Sequence, residues 1–225
     1  MRVFIATPIL RELDGRAILY GRALQSILQL EWPGQLDHFM SNGGDDYSDP
    51  RGTVTAKYNL ARDVFLAGNW DVFLAAEYDM IVPPDGLKRL AELDVDIAYG
   101  VYPFRHGKRE GRYRWSAATK LEGRLIDTLA TDSVRARKYW GEAINVKGVG
   151  MGFTLIKRHV LEAAPFRTLE YACCDWALAL DAQANGWRQQ AHLGVPCGHM
   201  TKAPSPRILW PDPDEPEMAR VEYLG

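Results

Sequence analysis

Three cysteines in 225 residues are too few, and too oddly placed, for a disulfide framework. Cys173 and Cys174 are adjacent, Cys197 stands alone, and no zinc-type spacing appears. Such usage suits free thiols in a reducing compartment. Long apolar runs are missing too: none approaches the roughly 20 residues that span a bilayer. The opening MRVFIATPIL has one basic residue before a short apolar run, which reads as a first strand and not a signal peptide. A soluble, cytoplasmic protein is the expectation. Charge of one sign is also scarce. With 27 Lys and Arg against 29 Asp and Glu, net −2, no global field exists to hold a nucleic-acid backbone. Glycine is sparse after the first strand. The missing G-x-G-x-x-G disfavours a dehydrogenase. The run Thr7-Pro8-Ile9-Leu10-Arg11 lacks the Gly-rich basic loop of a nucleotidyltransferase.

What is there is ample for a core: 47% of residues are hydrophobic. The first half alternates strand and helix patterns. Strands are expected at 2–6, 36–40, 71–76 and 95–101. Helices are expected at 16–30, at 53–67 with Thr53 as N-cap and Gly68 past its end, and from 85 to about 93. This alternation predicts a mostly parallel sheet flanked by helices. The second half is less regular. It offers a basic segment at 104–115, short antiparallel strands at 113–118 and 122–129, helices at 157–164 and 174–185, and a last strand at 188–193. Residues 204–225 are rich in proline and acid and read as an extended tail.

Five constellations carry chemistry. Glu77-Tyr78-Asp79 follows a buried strand at the sheet edge where α/β ligands sit. Two carboxylates two apart on extended chain face one side and can hold a hard divalent cation; an isolated acidic turn is the plainer alternative. Gly148-Val149-Gly150-Met151-Gly152 has the wrong spacing for a dinucleotide fingerprint. It reads as backbone approaching something bulky, such as a sugar or acceptor, or equally as a bulged strand. Cys174-Asp175-Trp176 opens a helix, so Asp175 is either a cap or a general base. His199, in Gly198-His199-Met200, is structural or completes a coordination sphere opposite Asp79. Thr7, Pro8, Asp45, Asp46, Asn59 and Arg62 cluster around the first strands, and Arg62 either suits a diphosphate or is an exposed helix residue paired with an acid. In the basic segment, Arg105, Lys108, Arg109, Arg112 and Arg114 are either acceptor contacts or a solvated loop.

The order of these pieces is similar to glycosyltransferases of the GT-A fold, close to the large inverting family. The resemblance rests on strand–Thr-Pro, a helix with Asn59 and Arg62, DVFLAAEYDMIVPPDGLKRL, GVGMGFTLIKRHVLE, CCDWALALDAQANGW and VPCGHM, over residues 2–200. It implies an α/β GT-A-type fold, with a mostly parallel central sheet, flanking helices and a small antiparallel subsheet. It implies one catalytic domain over 1–203, with a nucleotide-binding half (1–100) and an acceptor half (101–203), followed by the 204–225 tail. It implies Asp79 as a ligand of Mn2+ or Mg2+ with His199, Glu77 as the first acid of the D-x-D motif, and Asp175 as the base. It places Thr7, Pro8, Asp45 or Asp46, and Arg62 around a nucleoside-diphosphate sugar donor. The acceptor is a hydroxyl on a glycan, a lipid-linked sugar, a protein, a small molecule or a modified nucleobase. Two departures stand out: a glutamate at 77 and Cys174 in place of the first acid of the Glu-Asp pair. They keep an inactive nucleotide-sugar or glycan-binding module of the same fold as the alternative, with a nucleotidyltransferase behind it.

Overall fold

The computed structural model describes residues 1–9, 20–42, 45–46, 48–105, 113–123, 125–148, 150–201 and 207–224. Its elements in chain order are β1 (Val3–Pro8), α1 (Gly21–Leu28), β2 (Leu36–Ser41), α2 (Pro50–Ala67), β3 (Val72–Ala76), β4 (Met80–Ile81), α3 (Gly86–Glu92) and β5 (Ile97–Val101). The second half holds β6 (Ala118–Glu122), β7 (Leu125–Thr128), α4 (Ser133–Lys138), β8 (Ala143–Asn145), β9 (Phe153–Lys157), α5 (Arg158–Ala163), α6 (Cys174–Ala184), β10 (Gln189–Pro196), β11 (Gly198–Met200), β12 (Arg207–Pro211) and β13 (Ala219–Tyr223).

Seven strands form the central sheet in the order β2-β1-β3-β9-β5-β10-β8. Five share one direction, while β9 and β8 run against their neighbours. The expected α/β class, with a mostly parallel central sheet and flanking helices, is what the chain adopts. Strands buried on both faces read as continuous apolar runs, and their alternate residues belong to different cores. Val3, Ile5, Val72 and Leu74 pack with Ile27, Leu87 and Leu90 of α1 and α3. Phe4, Ala6, Phe73 and Ala75 pack on the other face with Phe65, Leu161 and Leu178 of α2, α5 and α6. Each fully buried Val, Leu, Ile or Phe side chain among them contributes about 1.5–3 kcal/mol.

Local chemistry sets the helix ends. α2 begins three residues before its expected start: Pro50 takes the first turn and Asp49 caps it, accepting from Gly52 N–H at 2.9 Å. The Thr53 hydroxyl donates to the Asp46 carbonyl instead. At the other end of α2, the Arg158 guanidinium gathers the carbonyls of Leu66 (2.7 Å), Trp70 (3.0 Å) and Gly68 (3.2 Å) and stacks over Phe65. α6 closes on Gly186 at φ 71°, with Trp187 N–H reaching back to the Ala182 carbonyl, a turn that requires the left-handed conformation glycine tolerates.

Of the tail expected over 204–225, the described residues 207–224 fold back as a hairpin. β13 pairs with β12, β12 with β11, and β11 with β4, all antiparallel, giving a second, four-stranded sheet. The prolines that suggested extended chain, Pro213 and Pro216, sit in its connecting loop. Of the antiparallel pair expected at 113–118 and 122–129, the second falls on β7, but the first strand lies later, at 118–122, because 113–117 is not strand; the two form the hairpin β6–β7. Among the described residues no helix is long and apolar enough to cross a membrane.

Candidate functional site

The carboxyl ends of β1, β3 and β5 converge on a cavity of about 340 Å3, where Pro8, Glu77 and Tyr102 follow or end those strands. The strand order reverses around β1, whose neighbours are β2 and β3, and such a switch point is where α/β sheets open a crevice.

After β3 the chain turns sharply. The expected extended Glu77-Tyr78-Asp79 segment is in fact a tight turn, closed by Met80 N–H donating to the Glu77 carbonyl at 3.1 Å. The turn sends Met80 back antiparallel to β11, where it pairs with His199. Met200 N–H then donates to the Asp79 carbonyl at 2.9 Å. His199 Nε2 thereby lies 3.9 Å from Asp79 Oδ2. The other ring nitrogen, Nδ1, is 2.8 Å from the Pro103 carbonyl and in the neutral ring must carry the proton, so Nε2 presents its lone pair to Asp79. The ring stands edge-on to Tyr102, 5.2 Å between centroids.

Among the described residues lining the cavity, Glu77, Asp79 and Asp175 face one guanidinium, that of Arg105. Asp79 is 0% exposed, and its Oδ2 meets Arg105 Nη1 at 2.6 Å. Burial works against the Arg105 charge, but Asp79, Tyr78 and Glu77 outweigh it and raise its pKa. Glu77 is pushed up to about 8 by desolvation first, then by Asp79, with Arg105 opposing. Its Oε1 lies 3.4 Å from the Tyr58 hydroxyl, a long contact. Asp175 lines the same cavity from the first turn of α6. The residue capping α6 is Cys173, so Asp175 is not the cap; its Oδ1 accepts the Trp176 N–H at 2.7 Å. Burial raises the Asp175 pKa, and backbone N–H groups only partly offset it.

Asp79 and His199 form an oxygen–nitrogen donor pair that fits Mn2+ or Mg2+. Two features condition that fit. Among the described residues no group of three or more His, Cys, Asp or Glu side chains could hold a metal by itself. Arg105 also shares the Asp79 oxygen that a cation would use. Among the described residues the pair supplies at most two ligands, so any further ligands of such an ion would come from outside that pair.

Of the residues singled out in the sequence, the cavity brings together Pro8, Glu77, Asp79, Arg105, Asp175 and His199. Thr7, Asp45, Asp46, Asn59 and Arg62 are engaged elsewhere. The Thr7 hydroxyl is 2.8 Å from His38 Nε2 on β2. Asp45 is buried in an ion pair with Lys57 at 2.5 Å, and Lys57 also donates to the Ile9 carbonyl. Asp46 holds a turn by accepting from Ser48 N–H and hydroxyl. Asn59 clamps Phe166, donating to its carbonyl at 2.7 Å and accepting its N–H at 3.0 Å. Arg62 Nε donates to the Leu161 carbonyl at 2.7 Å. Asn59 and Arg62 thus fasten α5 and the segment after it to α2. The glycines near 150 answer to neighbours inside the protein: a Cβ on Gly148 would lie 2.4 Å from Ala179 Cβ, and one on Gly150 2.2 Å from the Tyr102 hydroxyl. Val149, Lys108, Arg109 and Arg112 lie outside the described residues. Sequence reading placed Arg105 in a basic loop and missed it as the partner of Asp79. It likewise passed over Tyr58 and Tyr102, which spacing alone cannot direct toward an acid.

No family model matches the chain, and no curated protein matches it. Among solved structures it is similar to A197 from STIV, at 19% identity and a TM-score of 0.58, over 100% of this chain and 97% of that one. That likeness extends over the whole fold. Lower similarities run to the mannosyltransferase PcManGT from Pyrobaculum calidifontis in complex with GDP-Man and Mn2+ (17% identity, TM-score 0.48) and to S. aureus TarS in complex with UDP-GlcNAc (12%, 0.46). These two alignments take 84% and 85% of this chain and span only 53% and 56% of the other proteins.

Proposed function

We propose that the chain is a metal-dependent glycosyltransferase of the GT-A type, moving a sugar from a nucleoside-diphosphate sugar to an acceptor hydroxyl with inversion. The observation that carries this reading is the convergence of Glu77, Asp79, His199 and Asp175 on one cavity at the carboxyl ends of the parallel strands.

Asp79 and His199 would hold Mn2+ or Mg2+, which supplies charge neutralisation for a departing diphosphate. The chain's own groups do the rest. Burial raises the Glu77 pKa in the metal-free cavity, and in its protonated form the carboxyl can donate a hydrogen bond to a phosphate oxygen. Arg105 adds a second positive charge beside it. Asp175 accepts the proton of the acceptor hydroxyl as that oxygen bonds to the anomeric carbon. The bond from that carbon to the diphosphate breaks, and the diphosphate leaves with its electrons. Burial brings the Asp175 pKa closer to working pH, which makes it a better base.

The Arg105–Asp79 contact favours one second reading. In a module that binds nucleotide sugars without turnover, the guanidinium replaces the cation outright. A thermal-shift panel of UDP, GDP, CDP and TDP, with and without Mn2+, on wild type and Asp79→Ala separates the two. A ligand at a hundred times its Kd adds about 2.7 kcal/mol. Stabilisation that needs both metal and Asp79 supports the transferase. Stabilisation indifferent to metal supports the binding module, and no response to any nucleotide defeats both.

A further inference from the structure

A second cavity, about 420 Å3, shares Phe104, Cys173 and Asp175 with the first. The Asp175 carboxylate therefore stands where the two meet. Resting on the transferase reading above, we propose that this second cavity is the acceptor subsite, and that its acceptor is a small hydroxyl compound with an aromatic or otherwise apolar body and one anionic group, a carboxylate or a phosphate ester.

Three observations define that chemistry. The first is the wall. Leu121 and Ile126 of the β6–β7 hairpin and Ala179 of α6 give it an apolar surface. Tyr171 and Trp176 add an edge-to-face aromatic pair, 6.1 Å between centroids at 89°, suited to a ring or a flat apolar body. The second is the polar inventory. Ser116 is committed, its hydroxyl accepting the Tyr102 N–H at 3.0 Å. A neutral oligosaccharide, with a hydroxyl on nearly every carbon, would leave most of its polar groups unmatched here.

The third is charge. Arg51 and Arg114 both line the cavity. Arg51 Nη1 donates to the Glu170 carbonyl at 2.9 Å, and among the described residues it meets no carboxylate. Half-buried Arg114 makes no side-chain hydrogen bond or ion pair among the described residues. Among the described residues the only acid on the wall is Asp175. Two arginines without carboxylate partners, in a cavity with apolar walls, favour an anion. The hydroxyl to be glycosylated would then face Asp175, with the anionic group held by Arg114 and Arg51.

The test uses three probes on the full chain: 4-hydroxyphenylacetate, 4-hydroxyphenyl phosphate and the neutral 4-hydroxyphenylacetamide, each titrated by calorimetry. The variants are Arg114→Gln and Leu121→Trp, the second filling the apolar wall. At least one anionic probe should bind about tenfold or more tighter than the amide, the effect of one charge-assisted hydrogen bond. Arg114→Gln should erase that preference, and Leu121→Trp should weaken all three probes. The metal-dependent nucleotide shift should survive both substitutions, which also shows that the variants fold. The tighter anion names the group as carboxylate or phosphate. Equal affinity for amide and anion, or a preference that survives Arg114→Gln, overturns the proposal. So does the failure of every probe where a nucleoside diphosphate still binds, and that outcome leaves the donor reading standing. Probe binding as described, with no nucleotide response, upholds the anionic pocket and removes the donor reading.

Discussion

Cutting the Asp79–Arg105 pair from either side takes a close, oppositely charged partner from the other group. Their side chains are 1% and 22% exposed, and the contact is 2.6 Å. Breaking a buried pair by removing one partner costs about 3–5 kcal/mol. Arg105→Met takes the guanidinium from the more deeply buried group and removes the positive charge that opposes the rise in the Glu77 pKa. It should cost about 3 kcal/mol. Asp79→Asn leaves a guanidinium with some access to water and should cost about 2 kcal/mol. The double variant buries neither charge, so it should cost about 2 kcal/mol less than the two single losses together. For a chain of this length each kcal/mol moves Tm by about 2–4 °C, so all three variants separate clearly from wild type. Urea unfolding followed by tryptophan fluorescence, at pH 7 in a chelator, measures the cycle. Single losses that add to within about 0.5 kcal/mol would mean the two side chains do not act as a pair, and the electrostatic account of the site would fall with them.

Asp175→Asn should lower turnover by roughly 10²–10⁴-fold, the contribution of a positioned general base, while nucleotide binding holds; unchanged turnover would remove Asp175 from the mechanism. Arg158→Ala should cost about 3 kcal/mol in urea unfolding, because carbonyls at the end of α2 lose charge-assisted hydrogen bonds and Phe65 loses its cation; a loss under about 1 kcal/mol would show that water replaces the guanidinium there. Glu77→Gln should matter only at higher pH. The folded carboxyl holds its proton up to about 8 against 4.5 for the free group, so wild-type stability declines as pH rises through that window. In metal-free protein the variant should match wild type near pH 4.5 and exceed it near pH 8.5, and a gap that does not change with pH would contradict the assignment.

How far the sequence reached depends on which forces act locally. β3 and the acids after it were legible because a strand buried on both faces must be an unbroken apolar run, and that run ends at Ala76. The helix that presents Asp175 was legible from its spacing and its Asn185-Gly186 stop. Asn59 and Arg62 show the boundary. Their spacing places them on one helix face, which is right, but not what that face meets. The Phe166 and Leu161 carbonyls meet it here, from a segment about a hundred residues later in the chain. Asp45 was equally opaque, since its partner Lys57 sits in a helix whose pattern alone would leave that lysine in water. The C-terminal hairpin escaped because proline and acid outweigh its short apolar strands; its stability comes from pairing with β11, a tertiary effect.

That hairpin bears on how the protein is made. His199 reaches Asp79 only through β11, and β11 is held on its other edge by β12, which is held in turn by β13. A chain emerging from its N-terminus can lay down β1, β2, β3 and β5 well before these strands exist. The acidic centre is therefore completed only after β11, β12 and β13 have been made, with residues up to Tyr223 bracing it. A product cut short after β10 would keep every strand of the large sheet and lack the histidine beside Asp79.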